Sequence, residues 1–427
     1  MESNATLTGL MDFLRRSPGC FHAVRNLAEM LEAAGFQKLQ ETDAWSLKPG
    51  CNYFVTRNGS SLIAFRLPKE RPHRLRLTAA HTDSPTFKLK PGPALADGGL
   101  TRLNVEQYGG AIRQSWLDRP LSVAGRVLVE EQGSLLQVLV APDRDLLLIP
   151  SLAIHFTAPD QDTPSVQSNL LPVLTASGDP AVLDDLLRLC GLEPETVAGM
   201  DLYLTNREEP KRWGLKNEFL SAPRLDDLAC CYGTLEGFLE SEAADDALLY
   251  CAFDNEEVGS TSRQGAASTF LRDTLERLFQ FFDLTSDQRH VILARSVLVS
   301  ADNAHAFHPG YPSVADPVNR PKLNGGLVLK HQAAQKYTTD GVSSALCRML
   351  CKAHDIKLQE YTNHSDQRGG STLGNLSNTQ VSLRAMDIGL PQLAMHSAYE
   401  TMGAEDPQCL AAFSKAFFSD ALPEVQE

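Results

Sequence analysis

The chain has 427 residues, of which 43% are hydrophobic and 22% are charged, values typical of globular proteins rather than of disordered chains, collagen-like repeats or coiled coils. Its 39 basic and 53 acidic residues leave a net charge of −14, which disfavours binding to nucleic acid or to an anionic membrane. No apolar run reaches the roughly 18 residues of a membrane span, and the first residues lack the pattern of a secretory signal.

The nine cysteines are odd in number, and no two of them form a CxxC pair. This pattern disfavours a zinc site built from thiolates and favours reduced, mostly buried thiols. We therefore expect a cytoplasmic protein. If it binds a metal ion, the ligands must be imidazoles and carboxylates.

The first part of the chain predicts a helix, a hairpin and a strand. Apolar residues recur at helical spacing from Ala23 to Ala34, and Gly35 can end that helix. Two alternating apolar runs flank Asn58-Gly59, a pair typical of a two-residue hairpin turn. The run RLRLTAAHTDSP then predicts a strand that ends in a polar loop.

From about Pro91 to Leu220 the sequence consists mainly of short β-rich runs separated by turn residues. This change predicts two domains. Residues 1–90 and 221–427 would form one discontinuous domain, and residues 91–220 would form a smaller β-rich domain inserted into it.

After Ser221 strands and helices alternate, which predicts an α/β fold with a parallel or mixed sheet flanked by helices. The predicted helices are Asp226–Leu239, Ala267–Phe282, Val342–His354 and Cys409–Phe418. The predicted strands are Ala247–Phe253, Ser296–Ser300, Gly326–Lys330, Lys357–Tyr361, Val381–Met386 and Leu393–His396.

Polar residues cluster where these strands end, which is where the sites of open α/β sheets are found. The clustered residues are His81 and Asp83, Asp226 and Asp227, Glu256 and Glu257, Asp302, and His396. Two imidazoles and three carboxylates among them form the N/O ligand set that zinc takes when thiolates are absent. One carboxylate shared by two ions would give the layout of a two-metal hydrolase.

Each of these residues also has a purely structural explanation. A single His at the end of a strand is more often a hydrogen-bonded structural residue, and an acidic pair is usually solvated. Asp226 and Asp227 alone would fit the beginning of a helix. The functional interpretation depends on all of them lying at one edge of the sheet.

Six segments, in the same order as in the family, resemble the M18-type aspartyl aminopeptidases. They are HTDSP (81–85), SAPRLDDL (221–228), FDNEEVGS (253–260), SADNAHAFHP (300–309), SDQRGGSTLG (365–374) and AMHSAYE (394–400). The resemblance spans nearly the whole chain. It implies a zinc-exopeptidase-like catalytic domain and an inserted β-rich domain that mediates dimerisation within a dodecamer.

The resemblance also implies roles for single residues. His81, Asp226 and Asp302 would hold one zinc ion, and Asp226 would bridge to a second ion that Glu257 and His396 complete. Co²⁺ or Mn²⁺ could substitute for zinc. Glu256 would be the general base, and Asp83 would orient His81.

Family members remove N-terminal Asp or Glu from peptides with a free N-terminus, so the resemblance implies a cation in the substrate pocket. Lys330 aligns with the family lysine that meets the substrate carboxylate, although a lysine at a strand end can also simply reach solvent. His155 resembles a family His that reaches the active site of a neighbouring subunit. Asp227 departs from the family pattern, which has Asn there, and this departure puts strict acid preference in question.

Two other functions stay open on the sequence. One is a metal-dependent deacylase or amidohydrolase on the same scaffold, which would prefer N-blocked substrates that an aminopeptidase cannot cleave. The other is a catalytically silent, self-assembling homologue. Loss of a ligand would favour the silent homologue, and all five predicted ligands are present.

Overall fold

The computed structural model describes residues 5–156, 163–179, 181–242, 245–367 and 369–423. Its largest element is a nine-stranded mixed sheet. In spatial order the strands are Gln37–Leu39, Asn52–Arg57, Ser61–Arg66, Ala247–Phe253, Leu75–His81, Val297–Ala301, Arg384–Gly389, Leu327–His331 and Leu358–Thr362. The four strands from Ala247–Phe253 to Arg384–Gly389 in this order are mutually parallel, so their carboxyl ends lie at one edge.

Helices cover both faces of this sheet. The described helices of the whole chain are Ala5–Arg16, Cys20–Ala33, Val166–Asn169, Val182–Leu189, Leu225–Glu240, Phe270–Phe281, Ser286–Arg295, Gly341–Ala353, Leu373–Ser377 and Asp406–Ser419. None of them combines the length and the hydrophobicity that crossing a bilayer requires.

The strand Ala247–Phe253 illustrates why helices pack on both faces of the nine-stranded sheet. All seven of its residues are buried. Because side chains alternate along a strand, Leu248 and Tyr250 pack into the core under the helix Leu225–Glu240, whereas Leu249 and Cys251 pack into the core under Phe270–Phe281. A strand buried on both faces reads as a continuous apolar run, as ALLYCAF does.

Two smaller sheets complete the fold. A six-stranded sheet has the spatial order Ser134–Val140, Leu121–Glu131, Val197–Asn206, Thr86–Asp97, Leu100–Tyr108 and Val173–Thr175. A five-stranded sheet has the order Lys211–Trp213, Phe219–Ala222, Glu400–Gly403, Pro391–Leu393 and Ala304–His305. We call the six-stranded one the second sheet; it has its own apolar core, which includes Phe87 and Trp116.

The predicted fold class, a mixed sheet flanked by helices with a smaller β-rich part, is confirmed. The division into domains at residues 91 and 220, and dimerisation by the inserted part, stay predictions. Two predicted strands were placed wrongly. The sheet strand is Arg384–Gly389 rather than Val381–Met386, and the strand near His396 is Pro391–Leu393, which ends before the turn that holds His396.

Candidate metal centre

Three adjacent parallel strands bring the first site residues together. His81 is the last residue of Leu75–His81 and lies opposite Phe253 in register, so the 254–257 segment begins beside it. On the other side of the same strand, Val297–Ala301 ends directly before Asp302. The order of strands in the sheet thus brings residues more than 200 positions apart to one edge.

Asp226 is positioned by the turn into the helix Leu225–Glu240. Arg224 has a left-handed backbone with φ of 61°, and the Asp226-Asp227 peptide bond is cis. Asp226 is 2% exposed, and its backbone N–H donates to Glu400 Oε2 at 3.0 Å. Glu400 Oε1 also accepts from the backbone N–H of His396 at 2.7 Å, so one buried carboxylate holds both segments.

The Asp226 carboxylate lies between the two imidazoles. Its Oδ1 atom is 3.6 Å from His81 Nε2, and its Oδ2 atom is 3.5 Å from His396 Nε2. His396 Nε2 is also 3.5 Å from Glu257 Oε2. In three groups of residues the ligand atoms lie within 4.8 Å of one another: a first group (His81, Asp226, Asp227 and Asp302), a second group (Asp226, Glu257 and His396) and a third (His81, Glu256 and Glu257). The first and second groups share Asp226.

Buried oxygens in this cluster have no hydrogen-bond partner among the described residues. They are Oδ1 of Asp226, Oε1 of Glu257 and Oδ1 of Asp227. A buried carboxylate oxygen without a partner is costly, and a bound cation removes that cost. The donor set, imidazole nitrogens and carboxylate oxygens, is the set that zinc takes in proteins without thiolates. The residues present therefore fit a metal centre.

The pKa shifts also indicate that this cluster of carboxylates stabilises positive charge. Burial alone would lower the pKa of His396, but the nearby carboxylates of Asp226 and Glu257 raise that pKa to about 10. Burial also opposes protonation of His81, yet the nearby carboxylates of Asp227, Asp226 and Asp83 raise its pKa. Burial raises the pKa of Glu257, which His396 partly opposes. The cluster attracts cations.

Asp83 holds the Glu256-Glu257 turn. Its two carboxylate oxygens accept the backbone N–H groups of Glu256 and Glu257 at 3.1 and 3.2 Å. Its backbone oxygen lies 3.0 Å from His81 Nδ1, and its carboxylate lies 3.4 Å from that atom. Asp83 therefore contacts the imidazole that it was predicted to orient, and it also positions both glutamates.

The second sheet contributes to the same site. Tyr108, the last residue of Leu100–Tyr108, donates its hydroxyl hydrogen to Asp83 at 2.7 Å and accepts from Asn255 Nδ2 at 2.8 Å. The backbone oxygen of Gly110 lies 3.0 Å from His396 Nδ1. A side chain at Gly109 would meet Glu257 at 3.0 Å, and this glycine has φ of 71°, which L-residues rarely adopt. Both glycines allow the close approach of the two sheets.

A cavity with an empty volume of about 530 Å³ opens from the cluster. Glu256, Asp302, Lys330 and His396 are among its lining residues. Lys330 is 2% exposed, its ammonium lies 3.5 Å from Asp302 Oδ1, and it donates to the backbone oxygen of Asn303 at 3.2 Å. Burial raises the pKa of Glu256 to about 8, an effect that the charge of His81 opposes.

His155 does not belong to this cluster. It lies in the short 3-10 helix Ile154–Phe156, whose two apolar residues are 79% and 77% exposed. His155 is itself exposed and does not line the cavity. Its predicted action in a neighbouring subunit stays a prediction.

Sequence reasoning missed three contributors: Tyr108, Gly110 and Glu400. It placed Asp227 in the cluster but gave it no role there. Asp227 is fully buried and accepts from the backbone N–H of His81 at 3.2 Å. Glu400 ends the AMHSAYE segment, so its acidic side chain near His396 was a usable signal. Tyr108 and Gly110 carried no such signal, because their contacts exist only when the two sheets meet.

Known proteins resemble this chain over most of its length. The family model described as "Aminopeptidase I zinc metalloprotease (M18)" matches residues 13–418. A "Probable M18 family aminopeptidase 2" of Pseudomonas aeruginosa strain UCBPP-PA14 is 41% identical over 424 residues, covering 97% of this chain and 98% of that protein.

Two solved structures share the fold over almost all of this chain. "Cryo-EM structure of the Ape4 and Nbr1 complex" superposes with a TM-score of 0.93 at 35% identity, covering 97% of this chain and 85% of that one. "Structure of S. cerevesiae mApe1 dodecamer" gives a TM-score of 0.86 at 28% identity, covering 97% and 96%.

Proposed function

The chain belongs to the M18 family of zinc metallopeptidases and is an aminopeptidase, and from that premise we propose that it uses two zinc ions and prefers N-terminal Asp or Glu. One observation carries the proposal. The two oxygens of Asp226 face different imidazoles, at 3.6 and 3.5 Å. A carboxylate placed in this way is suited to bridge two ions.

The ligands would divide into two sets. His81, Asp226 and Asp302 would hold one ion, and Asp226, Glu257 and His396 would hold the other; the first and second groups of close ligand atoms support this division. Zinc, when bound, supplies a Lewis acid that polarises a carbonyl and acidifies water. Co²⁺ or Mn²⁺ would fit the same donor set.

Glu256 would act as the general base. Glu256 lines the cavity, whereas Glu257 lies 3.5 Å from His396. Glu256 would therefore be the base and its neighbour Glu257 a metal ligand. The Glu256 carboxylate takes a proton from the attacking water and delivers it to the leaving amine. Asp83 would act as a positioning residue, since it holds the backbone N–H of Glu256 and the ring of His81.

Lys330 would meet the side-chain carboxylate of the substrate. Lys330 is a buried cation in the wall of the cavity, and it forms an ion pair with Asp302. A carboxylate entering the cavity would therefore gain a charge-assisted hydrogen bond, and an apolar side chain would not.

We further propose self-association, by analogy with the mApe1 protein whose structure is described as a dodecamer. In such an assembly His155 would act in the site of the next subunit, and its exposure supports a role outside its own subunit. We also propose a cytoplasmic location, since all nine cysteines are free thiols.

The experiment that tests the proposed function compares chromogenic Asp-, Glu- and Leu-substrates, with and without a chelator, on protein of known metal content. The account predicts higher kcat/KM for Asp and Glu than for Leu, and loss of all activity with the chelator. N-acetylated substrates are the control, because a deacylase would prefer them. Leu cleaved as well as Asp would contradict the acid preference. No activity with zinc, manganese or cobalt would favour the silent homologue.

A further inference from the structure

A second polar groove lies away from the metal centre. It has an empty volume of about 1160 Å³ and runs between the first two helices, the end of Val197–Asn206 and the segment before Asp226. Its lining includes five arginines (Arg15, Arg16, Arg25, Arg207 and Arg224) and His22, against three acidic residues (Asp143, Glu208 and Glu209). The groove is thus locally positive in a chain whose net charge is −14.

Two of these cations lack a good carboxylate partner. Arg15, Arg16 and Arg207 each contact a carboxylate at 2.8 Å or closer. Arg224 has no carboxylate within 4.0 Å among the described residues. Its guanidinium nitrogens donate to the backbone oxygens of Ser17 and Leu14, at 3.0 and 3.4 Å, and to Thr205 Oγ1 at 3.0 Å. Arg25 has only a 3.7 Å contact with the exposed Glu29.

His22 lines the same groove as these two arginines. It is 4% exposed, and its Nδ1 atom has no hydrogen-bond partner in the described part of the chain. Burial and the charges of Arg25 and Arg224 lower the pKa of His22 to about 4. A buried polar atom without a partner, near two guanidinium groups that lack a close carboxylate, is an arrangement that an anion would complete.

We propose that His22, Arg25 and Arg224 form a binding site for a small oxyanion of the phosphate class. Guanidinium groups bind the oxygens of phosphate in a two-pronged geometry, and a neutral imidazole can donate one further hydrogen bond. Arg25 and His22 are three residues apart in the helix Cys20–Ala33, so both side chains lie on one face of it. Phosphate itself and a phosphorylated metabolite share this chemistry.

Calorimetric titration of the metal-loaded enzyme with inorganic phosphate tests the proposal. Wild-type protein should bind phosphate saturably. Arg25→Gln should weaken binding by about tenfold, the effect of losing one charge-assisted hydrogen bond. Arg25 is half-exposed, so this substitution leaves the fold intact. His22→Asn should also weaken binding, since it removes the imidazole from the site.

Arg188→Gln is the matched control, because Arg188 is equally exposed but lies in Val182–Leu189, outside the groove. It should leave the affinity unchanged. Since metal ions can also bind phosphate, the difference between Arg25→Gln and Arg188→Gln is the decisive readout. No saturable binding by the wild type, or equal affinities of the two arginine variants, would overturn the proposal. A glycerol phosphate arm, compared with phosphate alone, distinguishes a phosphorylated metabolite from the free ion.

Discussion

Glu256 and Glu257 are neighbours in sequence but differ in their surroundings. Glu257 is 3.5 Å from His396 and has a buried oxygen without a partner, whereas Glu256 faces the cavity. The sequence predicted that the pair would be divided between a ligand and a base. It could not predict that both backbone N–H groups are held by one carboxylate, Asp83, because that depends on the exact turn.

Replacing Glu256 with Gln should keep the metal content and lower kcat by about 10²- to 10⁴-fold, because the amide cannot accept the proton of the attacking water. Metal analysis together with peptidase kinetics checks this. Glu257→Gln is the comparison variant, and it should lose metal as well as activity. Near-normal turnover in Glu256→Gln would refute the assigned role.

Lys330 should determine the preference for acidic substrates. Lys330→Met should lower the ratio of kcat/KM for Asp over Leu substrates by about 10- to 100-fold, since a charge-assisted hydrogen bond contributes roughly 1.5–3 kcal/mol. Lys336→Met is the control, because Lys336 is an exposed lysine of the same segment that does not line the cavity. An unchanged ratio in Lys330→Met would mean that another group reads the substrate side chain.

At the scale of helices and strands, predictions succeeded where burial makes the pattern simple. ALLYCAF is a strand with the predicted bounds, and the predicted helix Ala267–Phe282 is observed as Phe270–Phe281. The strand Arg384–Gly389 was predicted to begin three residues too early, at Val381. The strands that pair with it on both sides, rather than its own sequence, determine where it begins. The helix Ser286–Arg295 was missed despite its capping box at Thr285 and Gln288, since only one of its residues is buried and its apolar pattern is weak.

The contact between the second sheet and the metal centre gives a prediction at this scale. Tyr108→Phe removes the hydroxyl that donates to Asp83. It should reduce zinc affinity or kcat by about 10- to 100-fold, because residues that hydrogen-bond around the metal ligands have effects of this size in other metal sites. The thermal midpoint should change little, because the ring is retained.

Tyr311→Phe, at an exposed tyrosine, is the control for Tyr108→Phe. Titration with a competing chelator measures the metal affinity of both variants. If Tyr108→Phe binds zinc and turns over like the wild type, the second sheet does not support the catalytic centre.

At the scale of the whole molecule, residues 100–156 contribute two features. Tyr108 and Gly110 contact the residues of the metal centre, and the 3-10 helix Ile154–Phe156 exposes Ile154 and Phe156 on either side of His155. Large exposed apolar side chains next to one another are typical of interaction surfaces. This arrangement could not be predicted from sequence alone, because IPSLAIHF has the composition of a buried strand.

Light scattering after size-exclusion chromatography should give a mass about twelve times the 46.7 kDa of one chain. Phe156→Asp should release smaller species, since a charge at a packed apolar contact is unfavourable. Those smaller species should also lose activity if His155 completes a neighbouring site. A monomer of full activity would contradict both statements.

The account depends above all on Asp226 bridging two metal ions. Anomalous diffraction at the zinc absorption edge, on crystals of the metal-loaded protein, tests this directly. It should give two peaks per chain, one between Asp226 and His81 and the other between Asp226 and His396. A single peak, or peaks away from Asp226, would contradict the two-zinc centre.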